Sequence, residues 1–421
     1  MDMATNSEIK PLKVLFDEKQ FRGNHPGEQT YAKLLIEQFL IGGSVKPYLL
    51  TSEAWSEPIS PRCAALVSSL PTFICTYASD RELIRQRPML WQKIANRAYR
   101  NMAASFDMLT GSTRLSTALQ TSPDIIHLSR FHMFKPPRKN RPLAVATVHD
   151  VISLVRPEFF PPDVPAYTKK LIRYYMRYCD HIIAVSETTR RDLLNFFDLA
   201  PERVSVAYNG IPESFSTADK QSPGLSVSEK ANAGFSRYFL WVGTIEPRKN
   251  FKLLYEAFLN LKKGKPEIFG DIGIVVVGSK GWMCDADLER ISELQKSGLL
   301  IWPRNVSDSE LPSLYREAVG LVMPSFYEGF GYPVVEAMSC GCPVITSRAT
   351  SMHELCGDSA LLIDPQDCSS LEKSMLVLAE NENLRVEMSH NGRETAKKFT
   401  AANCAEKTLE IYRSELEKKS S

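Results

Sequence analysis

The sequence predicts an α/β protein built as two Rossmann-like, doubly wound domains that face one another across a cleft, and three observations carry that expectation. The chain has 421 residues, more than one hydrophobic core ordinarily organises. Short apolar runs alternate with segments of helical period, the signature of parallel strands joined by crossover helices. The alternation breaks once, after Pro212, and then resumes.

Taken in order, residues 12–16 read as a first strand, followed by the glycine-containing residues 22–27. Residues 30–40 have helical spacing, with Tyr31, Leu34, Leu35, Gln38 and Phe39 near one face. Strand-like runs follow at 125–128, 144–148 and 181–185, each near a helix-like stretch. Residues 214–236 are rich in Ser, Ala, Lys, Pro and Gly without apolar period, which suits a linker. The second series has strands at 238–242, 272–277, 321–323 and 343–346 and helices at 251–261 and 333–339. The division is therefore 1–213, a linker 214–236, 237–400, and a terminal helix 401–421 that would pack back on the first domain. Open α/β sheets bind ligands at the carboxyl ends of their strands, so the site belongs in the cleft.

Composition narrows the class. Apolar residues make up 43% and charged residues 24% of the chain, as expected for a soluble globular protein. A net charge of +2 argues against bulk nucleic-acid binding. Residues 1–10 lack the apolar centre of a secretory signal, and no uncharged apolar run reaches the roughly 18 residues that span a bilayer. The expected location is cytoplasmic. The nine cysteines are scattered; Cys340-Gly-Cys342 is the one close pair, with no second pair or His cluster to complete a zinc site. Small buried thiols are expected.

Two segments carry chemistry. In Pro324-Ser-Phe-Tyr-Glu-Gly-Phe-Gly-Tyr-Pro-Val-Val-Glu-Ala-Met338 a strand ends, Gly329 and Gly331 permit unusual backbone angles, and Pro333 suits the start of a helix. Glu328 lies before the turn and Glu336 about one helical turn beyond it. Carboxylates accept hydrogen bonds from vicinal hydroxyls, so a sugar and a ribose are natural targets. The plainer reading of Glu336 is a favourable charge near a helix start, worth about 0.3–1 kcal/mol. In Trp241-Val-Gly-Thr-Ile-Glu-Pro-Arg-Lys-Asn250, Arg248 and Lys249 precede a helix, where a diphosphate would be stabilised; the plainer reading is a solvated pair. His149-Asp150 follows an apolar run at a strand's carboxyl end, where a lone His is more often structural. His127, Asp124 and Glu354 are weaker candidates, and no nucleophile in an elbow context supports a hydrolase triad.

Together these segments resemble the retaining glycosyltransferases of family 4, which have the GT-B architecture. The resemblance rests on Gly243-Thr-Ile-Glu-Pro-Arg-Lys-Asn250, Val277-Gly-Ser-Lys-Gly-Trp282, Val306-Ser-Asp-Ser-Glu-Leu-Pro-Ser-Leu-Tyr315, the Glu328-x7-Glu336 pair, Gly341-Cys-Pro-Val-Ile345, Glu354 and Asp364-Pro365. It covers nearly all of the second domain. In the first domain Pro123-Asp-Ile-Ile-His127, Thr147-Val-His-Asp150, Ile182-Ile-Ala-Val-Ser186 and Tyr208-Asn-Gly-Ile211 carry it, while residues 42–122 match nothing recognisable. The resemblance implies that Arg248 and Lys249 hold a donor diphosphate and that Glu336 binds the ribose. It implies that Glu328 and the backbone of Phe330, Gly331 and Tyr332 hold donor sugar hydroxyls, and that His149 contacts the transferring sugar from the opposite domain. Gly27 falls where the family has a phosphate loop, although Gly23-Asn-His-Pro-Gly-Glu-Gln departs from the usual Gly-Ile-Gly form. Arg304-Asn305 departs too, where a Gly commonly precedes Val306.

The first domain would bind the acceptor and the second the donor. Bacterial mannosyl- and rhamnosyltransferases are the members most resembled, so a GDP-mannose-type donor is expected, with no cofactor and no metal, because Arg248 and Lys249 can neutralise the diphosphate. A glycan or lipid-linked acceptor is implied. Residues 81–120 carry seven Arg or Lys against Glu82 and Asp107, and Lys169, Lys170, Arg173 and Arg177 form a second basic cluster. Such stretches suit peripheral contact with the inner face of an anionic membrane, or simply a solvated face. The rival readings are a nucleotide-sugar epimerase or phosphorylase of the same architecture, and an inactive nucleotide-sugar binder.

Overall fold

Short runs of Val, Ile and Leu become strands because they are buried on both faces; β9, Ile272–Val277, reads IGIVVV and is buried at every position. The computed structural model describes residues 10–17, 21, 26–52, 63–70, 72–75, 123–129, 141–217, 234–303 and 306–420. The basic stretch 81–120, residues 218–233 of the expected linker, residues 22–25 of the glycine-containing loop and Arg304-Asn305 lie outside the described residues.

The first sheet contains β1 (Leu12–Asp17), β2 (Val45–Ser52), β3 (Thr72–Cys75), β4 (Ile125–Leu128), β5 (Leu143–Val148), β6 (His181–Ala184) and β7 (Val204–Val206), in the order β3-β2-β1-β4-β5-β6-β7. The second contains β8 (Arg237–Val242), β9, β10 (Leu300–Ile301), β11 (Gly320–Met323), β12 (Val344–Ser347) and β13 (Leu361–Ile363), in the order β10-β9-β8-β11-β12-β13. Neighbouring strands pair in parallel throughout both sheets. Each strand order reverses beside its first strand, between β1 and β4 and between β8 and β11. At such switch points the crossovers diverge and leave a crevice. Gly27 follows β1 at the first crevice and His149 follows β5, one strand further along; Arg248, Lys249 and Glu328 follow β8 and β11 at the second.

Each sheet is covered on both faces. On the second sheet Tyr238, Leu240 and Val275 pack with Val334 and Met338, while Phe239, Trp241 and Ile274 pack with Phe251, Leu254 and Phe258. On the first sheet Val14 and Phe16 pack with Tyr31 and Leu35, and Leu15 and Ile126 pack with Leu171 and Tyr175. The helix Ala401–Ser420 places Ile411 and Tyr412 in the first sheet's core, and Lys419 Nζ donates to the Pro142 carbonyl at 3.1 Å. The chain crosses between halves where the Ile211 amide donates to the Phe399 carbonyl at 3.0 Å.

Two parts of the molecule go beyond the sequence reading. β2, β3 and the helix Ala64–Ser69 fall within residues 42–122 and extend the first sheet's edge; Pro47 inside β2 obscures its strand pattern. Ser214–Thr217, at the start of the expected linker, forms a helical turn. One residue anchors it: Phe215 is buried, with its ring 6.1 Å from that of Tyr315. Eight cysteines have described side chains, seven of them buried. Among the described residues no helix is long and apolar enough to cross a membrane.

Candidate active site

The second sheet supplies a buried ionic cluster. After β8 the chain makes a short turn, Pro247–Lys249, and Asn250 adopts a left-handed conformation (φ 55°, ψ 44°). Its side-chain amide donates to the carbonyls of Pro324 (3.1 Å) and Pro365 (2.8 Å), and the Phe326 amide donates to the Arg248 carbonyl at 2.9 Å. These bonds stitch the two chemistry-bearing loops side by side. Lys249 Nζ then lies 2.6 Å from Glu328 Oε1, and an Arg248 guanidinium nitrogen 2.7 Å from Glu328 Oε2. Arg248 also donates to the Tyr327 carbonyl at 2.6 Å and pairs with Glu246.

Glu328 is 6% exposed and Lys249 8%. Burial alone would push the Glu328 carboxyl up, but Arg248 and Lys249 together hold it down to about 2. Arg248 stays charged against its own burial because Glu328 and Glu246 face it. Burial raises the carboxyl of Glu246. It also raises that of Asp150, whose surface opens into the cleft but which is walled by protein and faces Arg248. Buried ion pairs seldom add net stability, so this cluster is poorly explained as a stabilising device. It is a fixed pair of cations suited to an anion, with a carboxylate suited to hydroxyls.

Beside the cluster the helix Tyr332–Cys340 begins at Gly331, whose φ of +112° only glycine adopts readily. A β-carbon there would also lie 2.2 Å from Met352 Cε. No side chain caps this helix start, so the end remains suited to negative charge. Glu336 is half-buried one turn in, and the Tyr315 hydroxyl donates to its Oε2 at 2.9 Å. Phe330 is buried, its ring 5.3 Å from that of Tyr332.

The first sheet contributes a neutral wall. His149 follows β5, and its ring hydrogen-bonds the Ser129 backbone, while burial pulls its pKa down to about 4. Its Nε2 is buried without a hydrogen-bond partner among the described residues. The Ser129 bond therefore uses Nδ1–H, and the neutral ring presents Nε2 as a bare acceptor. Gly27 lies in the first turn of the helix Pro26–Gly42; a β-carbon there would be 3.5 Å from the Tyr332 ring of the opposite half. His127 does not face the cleft. It is fully buried between the Tyr412 hydroxyl and Thr147 Oγ1, the latter at 2.7 Å. Asp124 accepts from the Lys13 amide at 2.7 Å, at the opposite end of the strands.

The halves meet through contacts that sequence reading did not find. Ser186 Oγ donates to the Gly329 carbonyl at 2.6 Å, and Thr189 Oγ1 donates to the same oxygen at 3.3 Å. A β-carbon at Gly329 would stand 2.5 Å from the His149 carbonyl, so only glycine lets the walls come this close. The Tyr327 hydroxyl donates to Asp192 at 2.5 Å. Glu354 accepts from the amides of Glu187 (2.6 Å) and Thr188 (3.0 Å), capping the helix Glu187–Phe196 from the other half. The Trp282 indole donates to the Phe159 carbonyl at 2.8 Å, and Phe159 stacks on Phe326. Ser186 closes one of the resemblance-bearing stretches; its other sequence signal, shared with Thr189, is that of a helix start, which Ser186 serves by accepting from the Thr189 amide. The sequence's one Asp-x-Asp triplet, Asp285-Ala-Asp287, lies elsewhere: it opens the helix Asp285–Lys296, and Asp287 pairs with Arg290 at 2.8 Å.

Comparison with known proteins gives matches in both halves of the chain. The family model described as glycosyl transferases group 1 matches residues 228–395, and that of glycosyltransferase family 4 matches residues 63–215. The second match begins inside the stretch that the sequence reading could not place. O-antigen chain mannosyltransferase B of Escherichia coli is 31% identical over 303 residues, 71% of this chain and 77% of that protein. O-antigen chain mannosyltransferase RfbU of Salmonella typhimurium is 30% identical over 229 residues, 54% of this chain and 59% of that protein. Among solved structures, Anabaena HepE in complex with UDP-glucose superposes with a TM-score of 0.64 at 17% identity, covering 96% of this chain and 100% of that one. WaaG, a glycosyltransferase involved in lipopolysaccharide biosynthesis, gives 0.63 at 13% identity, covering 95% and 99%.

Proposed function

The chain belongs to the family 4 glycosyltransferases of GT-B fold, and from that premise we propose that it transfers a hexose, with retention, from a nucleotide diphosphate-sugar to a glycan or lipid-linked acceptor. The observation that carries the reading is the pairing of two unlike walls at one seam. The Arg248–Lys249–Glu328 cluster lies on one side of Gly329, and His149, with its unpartnered Nε2, lies on the other. The second half holds the donor and the first half the acceptor. Arg248 and Lys249 take the diphosphate, Glu336 the ribose, and Glu328 with the backbone of Phe330, Gly331 and Tyr332 the sugar hydroxyls. Gly27 lets the first half approach the phosphates.

In the reaction the bond from the anomeric carbon to the diphosphate oxygen breaks and a bond to the acceptor oxygen forms on the same face. The acceptor's proton passes to the departing diphosphate, whose growing charge Arg248 and Lys249 stabilise in place of a metal ion. His149, held near a pKa of 4 by burial, is neutral at pH 7 and accepts a hydrogen bond from a sugar hydroxyl. A group so weakly basic is ill suited to deprotonate the acceptor itself. GDP-mannose is the favoured donor because the curated relatives named above are mannosyltransferases. A lipid-linked acceptor would bring the enzyme to the inner membrane face, with residues 81–120 as the contact.

Calorimetric titration with GDP, UDP and dTDP tests the donor, since a product diphosphate keeps the base and phosphate contacts. GDP is expected to bind most tightly; tight UDP binding with none of GDP would sink the GDP-mannose assignment. The anomeric configuration of the product, read by NMR, tests retention.

A further inference from the structure

We propose that His127, Thr147 and Tyr31 are positioning residues for His149, acting through a buried chain that runs from the C-terminal helix to the cleft wall. The Tyr412 hydroxyl meets His127 Nδ1. His127 Nε2 lies 2.7 Å from Thr147 Oγ1, and Thr147 Oγ1 lies 2.9 Å from the Tyr31 hydroxyl. The Tyr31 ring stands edge-on to the His149 imidazole, with centroids 5.1 Å apart and planes at 82°. His127 and Tyr412 are fully buried, and Tyr31 and Thr147 are each 2% exposed.

A core position here requires only an apolar ring, which is what Phe16 and Phe39 provide beside the chain. Four polar groups in the same space must each be desolvated, and a half-satisfied chain would be worse than an apolar one. What the chain supplies is a defined orientation. Thr147 is the junction, bonded on both sides, and it lies inside β5, two residues before His149. The Tyr31 hydroxyl is anchored there, so its ring cannot swing away from the imidazole. The ring in turn bars rotation of His149, whose own anchor is the single bond to Ser129. None of the three residues is placed against the substrate; each acts through His149. The consequence for catalysis rests on reading His149 as a sugar contact.

The test is nitrogen NMR on protein labelled at its seven histidines, with His149 assigned from His149→Gln. In the unaltered protein His149 shows one neutral form, protonated at Nδ1, and titrates far below an ordinary histidine; Tyr31 and His127 are the titratable groups facing it. Thr147→Val removes the junction, and Tyr31→Phe removes only the anchoring hydroxyl. In both, His149 is expected to exchange between its two neutral forms, with its midpoint rising by a unit or more. The exposed His353 and His390 stay unmoved. Should Thr147→Val fail to fold, Tyr31→Phe carries the test. Unchanged His149 signals in a folded Tyr31→Phe protein would overturn the proposal. A second arm follows GDP release from GDP-mannose, expected to fall about tenfold with KM unchanged. Shifted His149 signals with undiminished release would uphold the positioning chain and refute the sugar contact instead.

Discussion

The two walls of the cleft hold their functional groups by different physics. On the charged wall a carboxylate and two cations are buried together, and Glu328 and Arg248 hold one another in their charged forms. On the neutral wall His149 and His127 are held as neutral rings, and burial is the leading cause of both depressed pKa values, about 4 and about 3. The first wall is ready for a ligand that brings charge. The second is ready for one that brings hydroxyls, and it would repel neither sugar nor acceptor. The contrast suits the proposed reaction, in which negative charge grows on the diphosphate while the sugar stays between the walls.

The most severe way to break the contrast is to neutralise the charged wall. Glu328→Gln or Lys249→Ala should lower turnover by roughly 10²–10³, the scale of losing one transition-state electrostatic partner. Both proteins should fold, and steady-state kinetics with the identified donor checks this. Near-normal turnover in a folded variant would remove the donor-side assignment.

Acid should separate the walls in order. A histidine whose folded pKa is depressed contributes stability that is complete above its unfolded value and is lost as pH falls through the folded one. For His127 and His149 the window runs from about 6.5 down to about 3 and 4. Glu328 obeys the same sign with a lower window, from 4.5 down to about 2. Burial raises Glu246, which acts oppositely and softens the charged wall's response. Hydrogen-exchange protection around β4 and β5, referred to the intrinsic rate at each pH, should therefore fall between pH 6 and 4, by up to about tenfold per pH unit for each histidine. The loops carrying Glu328 and Lys249 should hold until lower pH. Simultaneous loss of both walls would refute the separation.

The gentlest perturbation leaves both walls intact and loosens their approach. Glu354→Ala removes the cap that one half places on the other's helix. A lost cap costs about 1 kcal/mol, so KM for donor or acceptor should rise about fivefold with little change in the donor-side ion pairs. Unaltered kinetics in this variant would mean that Glu354 does not help hold the halves together.

Sequence made the charged wall far more legible than the neutral one. Arg248, Lys249 and Glu328 stand out because charges in glycine- and proline-punctuated loops have few structural uses. The apolar runs of β8 and β9 announce themselves for the same reason: nothing but burial explains them. His127 and His149 look alike in the sequence, each near the carboxyl end of an apolar run. What separates them is that His127 falls inside β4 and meets Tyr412, 285 residues further along. The cross-half contacts of Ser186, Thr189 and Glu354 were hidden for a related reason. Each has a plausible local use at a helix end or in a loop, and the partner that reveals it lies 140 to 167 residues away.

The helix Ala401–Ser420 bears on the order in which the molecule is made. During synthesis the residues of the first sheet leave the ribosome before those of the second. Yet the first sheet's core includes Cys404, Ala405, Ile411 and Tyr412, and His127 lacks its Nδ1 partner until Tyr412 arrives. A nascent chain paused after residue 400 would carry every strand of the second sheet, but a first sheet open beneath the cleft wall. Domains usually fold as they emerge, the earlier ones first. Here the half that begins first is completed last, and the neutral wall cannot be set before the charged one already stands.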